Sequence, residues 1–171
     1  MIIIFVGYFQ TPFMKKLLFT AYLLIAAFAA GAQSTKPMLQ SIGVKVYPGA
    51  ITYKQYVNES IAKELLAYFN EDGFRLTGLY EKHMPIANAE GLQWYVGGGG
   101  HFGLWNNSWR LRNPPSTAVF AIGVDGVLGL DYKIPNAPLA VSFDWQPSFN
   151  LVGHTHFEGG WGGLAVRYTF K

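Results

Sequence analysis

Three observations predict an all-β fold, an eight-stranded antiparallel up-and-down transmembrane β-barrel. The segments after residue 40 alternate apolar and polar side chains with period two, the signature of strands with two unlike faces. The chain opens with an export-signal pattern. Its polar strand face carries few charges, and they balance. Of 171 residues half are apolar and 16% aromatic, but only 13% are charged, well below the roughly 25% of ordinary globular domains.

The amino end comes first. Met14-Lys15-Lys16 precedes an apolar run over 17–30, and Ala30-Gly31-Ala32 supplies a small-x-small cleavage site. That run is short of the roughly 20 residues of a spanning helix. The pattern therefore predicts a signal peptide over 1–32, with 1–13 a mis-assigned start upstream of Met14, and a barrel domain over 33–171. Losing Lys15 and Lys16 takes the 13 basic residues to 11 against 10 acidic ones, a net charge of +1. No basic stripe remains to support nucleic-acid binding. Cysteine is absent, so thiolate metal sites and disulfides are excluded.

Eight segments then follow: 41–47, 50–57, 61–69, 73–84, 92–105, 117–133, 139–151 and 161–170. An even number lets an up-and-down barrel close with both ends on one rim. The third, with Ile61, Leu65 and Leu66, also fits a short amphipathic helix, and is read as a strand because its neighbours need a partner. Turn residues separate the segments at Pro48-Gly49, Asn58-Glu59, Glu71-Asp72-Gly73 and Pro135 to Pro138. Two connections are longer, 106–116 and 152–160, and both fall on the rim away from the termini. Pro147 is expected near that rim, where ladder bonding ends and a missing N–H matters least.

Parity sorts the faces. One carries Phe120, Ile122, Val124, Leu128, Leu130 and Tyr132 in the sixth segment and Leu139, Val141, Phe143 and Trp145 in the seventh. The other carries Lys45, Lys54, Arg75, Lys133 and Arg167 against Glu64, Glu81, Asp125, Asp131 and Asp144. Five bases thus meet five acids in mid-strand, which suits a narrow interior where an unpaired charge costs several kcal/mol. One continuous lumen charge network is the expectation. Gly97, Gly99, Gly103, Gly123, Gly129 and Gly163 share that face and leave room for long side chains. Aromatic residues, among them Tyr47, Phe69, Phe74, Trp94 and Tyr168, gather near strand ends, as in the interfacial girdles of membrane barrels.

The run "LAVRYTF", with Leu164, Val166, Tyr168 and Phe170 on one face, resembles the carboxy-terminal insertion signal of bacterial outer-membrane barrels. "GFRLTGLYEKH", "WYVGGGGHFGLW" and "GVDGVLGLDYKIPNAPLAVSFDWQPSFNL" are similar to small outer-membrane β-barrel proteins of mostly unknown function. The resemblance covers nearly all of the segment after residue 32. It implies a location in the bacterial outer membrane, with membrane lipid and the barrel-insertion machinery as partners. It implies no particular activity.

Candidate chemistry is sparse. Gly97 to Gly100 lacks the Lys-Ser/Thr and helix of a phosphate loop. His154, His156 and Glu158 are possible metal ligands, read instead as part of a polar external loop. His83 and His101 point inward, as do Ser142 and Ser148, and no nucleophile–base pair is set by spacing. The expectation is a non-enzymatic monomer without metal or cofactor, plugged inside and acting structurally or adhesively through its surface loops. Two alternatives remain: a secreted soluble lipocalin-like barrel holding an apolar ligand, and a lipid-modifying enzyme at the membrane rim.

Overall fold

The computed structural model describes residues 39–71, 73–107, 111, 119–153 and 155–170. The expected signal peptide, His154 and much of the 106–116 connection lie outside them. Among the described residues ten strands follow in chain order: β1 (Gln40–Lys45), β2 (Ala50–Tyr56), β3 (Ile61–Asn70), β4 (Gly73–Pro85), β5 (Leu92–Trp105), β6 (Phe120–Lys133), β7 (Leu139–Trp145), β8 (Ser148–Val152), β9 (Phe157–Glu158) and β10 (Gly162–Phe170). Residues 61–70 are thus a strand, paired over their length with β4 and, from Ala62 to Tyr68, with β2.

All pairings are antiparallel, in the order β5-β4-β3-β2-β1-β10-β7-β6, and a β5–β6 ladder closes the ring. β8 continues β7 along β6, and β9 pairs with β8. The wall therefore has eight strands, the last two interrupted side by side. At the interruption Gln146 N–H donates to the Trp161 carbonyl at 2.9 Å, and the Pro147 carbonyl accepts from Gly126 N–H at 2.8 Å. Contrary to the expectation from the sequence, Pro147 does not mark the end of its ladder. The proline sits at a break, and β8 carries the pairing five residues further.

The register fixes the shape. From Val44, one way round leads through Val166 and Val141 to Tyr132; the other leads through Ile51, Ala67, Leu76 and Phe102 to Ile122. Tyr132 and Ile122 are ten residues apart on β6, and that stagger over eight strands tilts them by about 40°. A barrel of this size has room inside for side chains and little else.

The two faces are inverted relative to a water-soluble barrel. Ile42, Val44, Phe102, Ile122, Leu130, Phe143 and Leu164 stand exposed on the outside, while Lys45, Lys54, Glu64, Arg75, Glu81, Asp131 and Arg167 are buried. Tyr80 and Trp94 also face outward, as do Tyr132, Trp145 and Tyr168.

Candidate functional site in the barrel lumen

Two charged storeys fill the lumen, separated by an apolar layer. The storey nearer the termini is built around Lys54 of β2. Its ammonium lies 2.7 Å from Glu81, 3.1 Å from Glu64 and 3.6 Å from Asp131. Opposite, Arg167 of β10 reaches Asp131 at 2.7 Å and Glu64 at 3.3 Å. Thr52 donates its hydroxyl to Glu64. Lys45 pairs with Asp144 at 2.8 Å, and Asp144 also accepts from the Tyr95 hydroxyl at 2.8 Å. The Tyr95 ring supports the Lys54 ammonium at 4.3 Å and stacks on His83. His83 is bonded through one ring nitrogen to Glu81 at 2.9 Å and through the other to Tyr56 at 3.2 Å.

Small residues make this crowding possible. A Cβ on Gly129 would come within 2.6 Å of the Tyr95 ring, and one on Gly123 within 2.4 Å of the His101 ring. Cβ atoms on Gly97 and Gly99 would meet the β4 backbone at 2.3 and 1.9 Å, so here two strands of the wall approach closely.

Above lie Ala50, Leu66, Leu79 and Val127, a buried cluster with Tyr68 and Tyr95, against which Trp161 packs. The second storey rests on it. Arg75 of β4 pairs with Asp125 of β6 and lies 3.2 Å from Glu158 of β9. His101 of β5 contacts Asp125 at 2.8 Å through Nδ1 and Asn150 at 2.7 Å through Nε2. Gln146 donates to Asp125 at 3.0 Å and accepts from the Tyr68 hydroxyl at 2.8 Å. Trp161 covers the Arg75 guanidinium, 4.0 Å from ring centre to Cζ, and donates its indole N–H to Glu158. His156 reaches Glu158 at 2.9 Å.

Of the ten charged residues expected in one lumen network, nine line the interior, divided between the storeys. Lys133 does not join them: its ammonium folds onto the carbonyls of Ile134 and Ala137, in the turn that ends its strand. Glu158, read from the sequence as part of an external loop, lies in β9 and enters the upper storey. The count is therefore four bases, Lys45, Lys54, Arg75 and Arg167, against six acids rather than five against five. Each storey holds one carboxylate more than its bases, with a histidine beside an acid in both. Gln146 shares the polar parity of Ser142 and Asp144 in the sequence; Asn150, Tyr68 and Trp161 were not assigned a role there, although parity with Ser148, Glu64 and Arg167 points each of them inward.

Chemically, most of the site's groups bond one another, with Ser142 Oγ and Arg167 Nε buried without a hydrogen-bond partner among the described residues. Both ring nitrogens of His83 and of His101 are already engaged, and Arg75 is shared between two carboxylates. Among the described residues no group of three or more His, Cys, Asp or Glu side chains is gathered to hold a metal ion. Leu164, Val166, Tyr168 and Phe170, of the run that resembles an insertion signal, all face outward on β10, and Phe170 pairs with Gln40 of β1 where the barrel closes.

The fold and lumen define a class: a narrow eight-stranded barrel with an apolar exterior and a plugged, charged interior. Neither a protein-family model nor a curated protein sequence matches the chain.

Proposed function

We propose that this protein is a small bacterial outer-membrane barrel, exported by a cleaved signal peptide. Its role is structural or adhesive, exercised at the cell surface through the 106–116 and 152–160 connections. The inverted faces carry this reading. Buried charges in the lumen and exposed Ile, Val, Leu and Phe outside suit a hydrocarbon surround, where a strand's lipid-facing side must be apolar. A soluble barrel with an apolar ligand inside needs the opposite arrangement. Strands β4, β5 and β6, with 13, 14 and 14 residues, exceed the roughly 9–11 that cross a bilayer at this tilt.

The outward row on β10 is the surface we assign to the insertion machinery, and membrane lipid is then the standing partner of the monomer. The lumen groups are committed to one another, so the role assigned is not enzymatic. The test is fractionation with detergent extraction. The expected product partitions with the outer membrane, migrates differently on a gel before and after boiling, and has an intact mass that starts at Gln33. A product that stays folded and soluble without detergent would overturn the proposal.

A further inference from the structure

Two charges interrupt the apolar outer face. Among the described residues, Lys63 of β3 and Lys82 of β4 are the only charged side chains on the outward parity of any strand. The other outward positions of β3 and β4 are Ile, Leu, Ala, Phe, Gly, Tyr and Met. Lys82 is exposed and Lys63 half-buried. The two are also neighbours. Tyr80 stands directly opposite Lys63, and Lys82 lies two residues further along β4, opposite Ile61. Diagonal neighbours of this kind are about 7–8 Å apart, within reach of long side chains. Lys82 is nearer the rim by two residues, but the stagger of β4 offsets most of that, so both stand within about 2 Å of one height. Neither ammonium pairs with an acid among the described residues, Glu59 and Glu90 of the adjoining turns included.

We propose that Lys63 and Lys82 together hold the phosphodiester of an anionic phospholipid, in the leaflet at the rim bearing the termini. The inference rests on the membrane placement proposed above. Depth favours it: Lys63 is two residues from the start of β3 and Lys82 three from the end of β4, both at that rim. An outward lysine costs far less there than at the midplane, because its stem can carry the ammonium to headgroup level. Charge favours it too. Two like charges side by side on an apolar face repel one another, and a phosphate between them turns that repulsion into two attractions. The surface beside the pair selects a lipid over a soluble anion. Towards the far rim, Gly78, Gly98, Gly100 and Gly126 adjoin on the outer face, Gly78 opposite Gly100 and Gly98 opposite both Tyr80 and Gly126. The patch offers no outward side chain, and the exposed Tyr80, Phe102, Val124 and Leu128 border it. An acyl chain running up from the lysines would lie in this shallow groove.

Native mass spectrometry of the detergent-solubilised protein, titrated with phosphatidylglycerol or with zwitterionic phosphatidylcholine, provides the test. The expected result is one tightly held phosphatidylglycerol and no comparable phosphatidylcholine. Lys63→Gln with Lys82→Gln should weaken that binding about thirtyfold, and each single variant about fivefold. Lys133→Gln, at the same rim but with its ammonium on turn carbonyls, should bind as the parent does. Should the double variant fold poorly, the two single variants carry the comparison. Equal binding of phosphatidylglycerol by the parent and the lysine variants overturns the site and leaves the membrane placement standing. Displacement of the lipid by an equal concentration of glycerol phosphate overturns the lipid occupant in favour of a soluble anion. A protein that stays folded and soluble without detergent removes the membrane placement, and the site with it.

Discussion

Arg167 on the closing strand and Glu64 on β3 meet at 3.3 Å inside the lumen, although 103 residues separate them. The same guanidinium holds Asp131 at 2.7 Å. One side chain thus ties three wall strands together, and a planar guanidinium suits such divided binding better than an ammonium does. Arg167→Ala would leave two carboxylates buried with only Lys54 between them. Stranding a buried charge costs about 3–5 kcal/mol, so the variant should lose its folded gel migration at a lower temperature than the parent. Adding Asp131→Ala should recover part of the loss, because the penalty comes from the abandoned carboxylate. A double variant no better than the single one would mean that Arg167 acts by packing.

The outer face makes an independent prediction. Leu130 and Phe143 are directly paired neighbours on β6 and β7, both exposed. Replacing either with Arg should oppose membrane insertion by about 2–4 kcal/mol if it lies near the midplane. Folding yield into vesicles, titrated with urea, measures this. Ser142→Arg, on the buried face of the next position, should disturb the barrel by crowding and added charge instead, whatever the surroundings. If Leu130→Arg folds into vesicles as readily as the parent, the lipid-facing assignment of this surface fails.

How much of this was readable beforehand follows from what parity can carry. Within an unbroken strand, period two assigns a face with no knowledge of the partner, so Lys54, Glu64, Arg75, Asp131 and Arg167 could be placed inside from the sequence. Across a break the count restarts. Residues 159–161 interrupt the eighth wall strand, so Glu158, of even number, faces the same lumen as the odd-numbered Ala165 and Arg167. Parity also stops at the Cβ: it puts Lys133 on the polar face, but a four-carbon stem at a strand end can bend to turn carbonyls. The division into two storeys was hidden for another reason. It depends on Leu66, Leu79 and Val127 meeting at one height, which register and tilt determine and a single strand's pattern does not.

The lower storey's charge count predicts opposite responses from neighbouring residues. Lys45, Lys54 and Arg167 face Glu64, Glu81, Asp131 and Asp144, one carboxylate in excess. Glu81→Gln removes that surplus while keeping a group that can still bond His83 and Lys54. It should be tolerated, or raise the temperature at which the folded form is lost. Lys54→Met removes the ammonium shared by three carboxylates and should cost several kcal/mol. Thermal denaturation followed by circular dichroism in one detergent would compare the two. A destabilised Glu81→Gln beside a stable Lys54→Met would show that the excess charge has been assigned to the wrong group.

The same two-storey lumen bears on conductance, and we expect none that is steady. An ion moving along the axis from the terminal rim first meets a storey whose Lys54, Arg167 and carboxylates are bound to one another at 2.7–3.6 Å. Displacing one member would leave others buried without a counter-charge, at a cost of several kcal/mol. It then meets Leu66, Leu79 and Val127, which offer no oxygen ligands to replace lost hydration water. Beyond them lies the upper storey, where Arg75 is shared between Asp125 and Glu158 and covered by Trp161. Glycine substitutions should not open this path, because Gly123 and Gly129 sit where larger side chains would collide with His101 and Tyr95. Even Leu79→Ala together with Val127→Ala only thins the apolar layer and leaves both charged storeys in place. Planar-bilayer recordings of the parent and of this double variant should show no stable open level. A steady single-channel current through the parent would refute the plugged interior, and one seen only in the double variant would assign the barrier to the apolar layer alone.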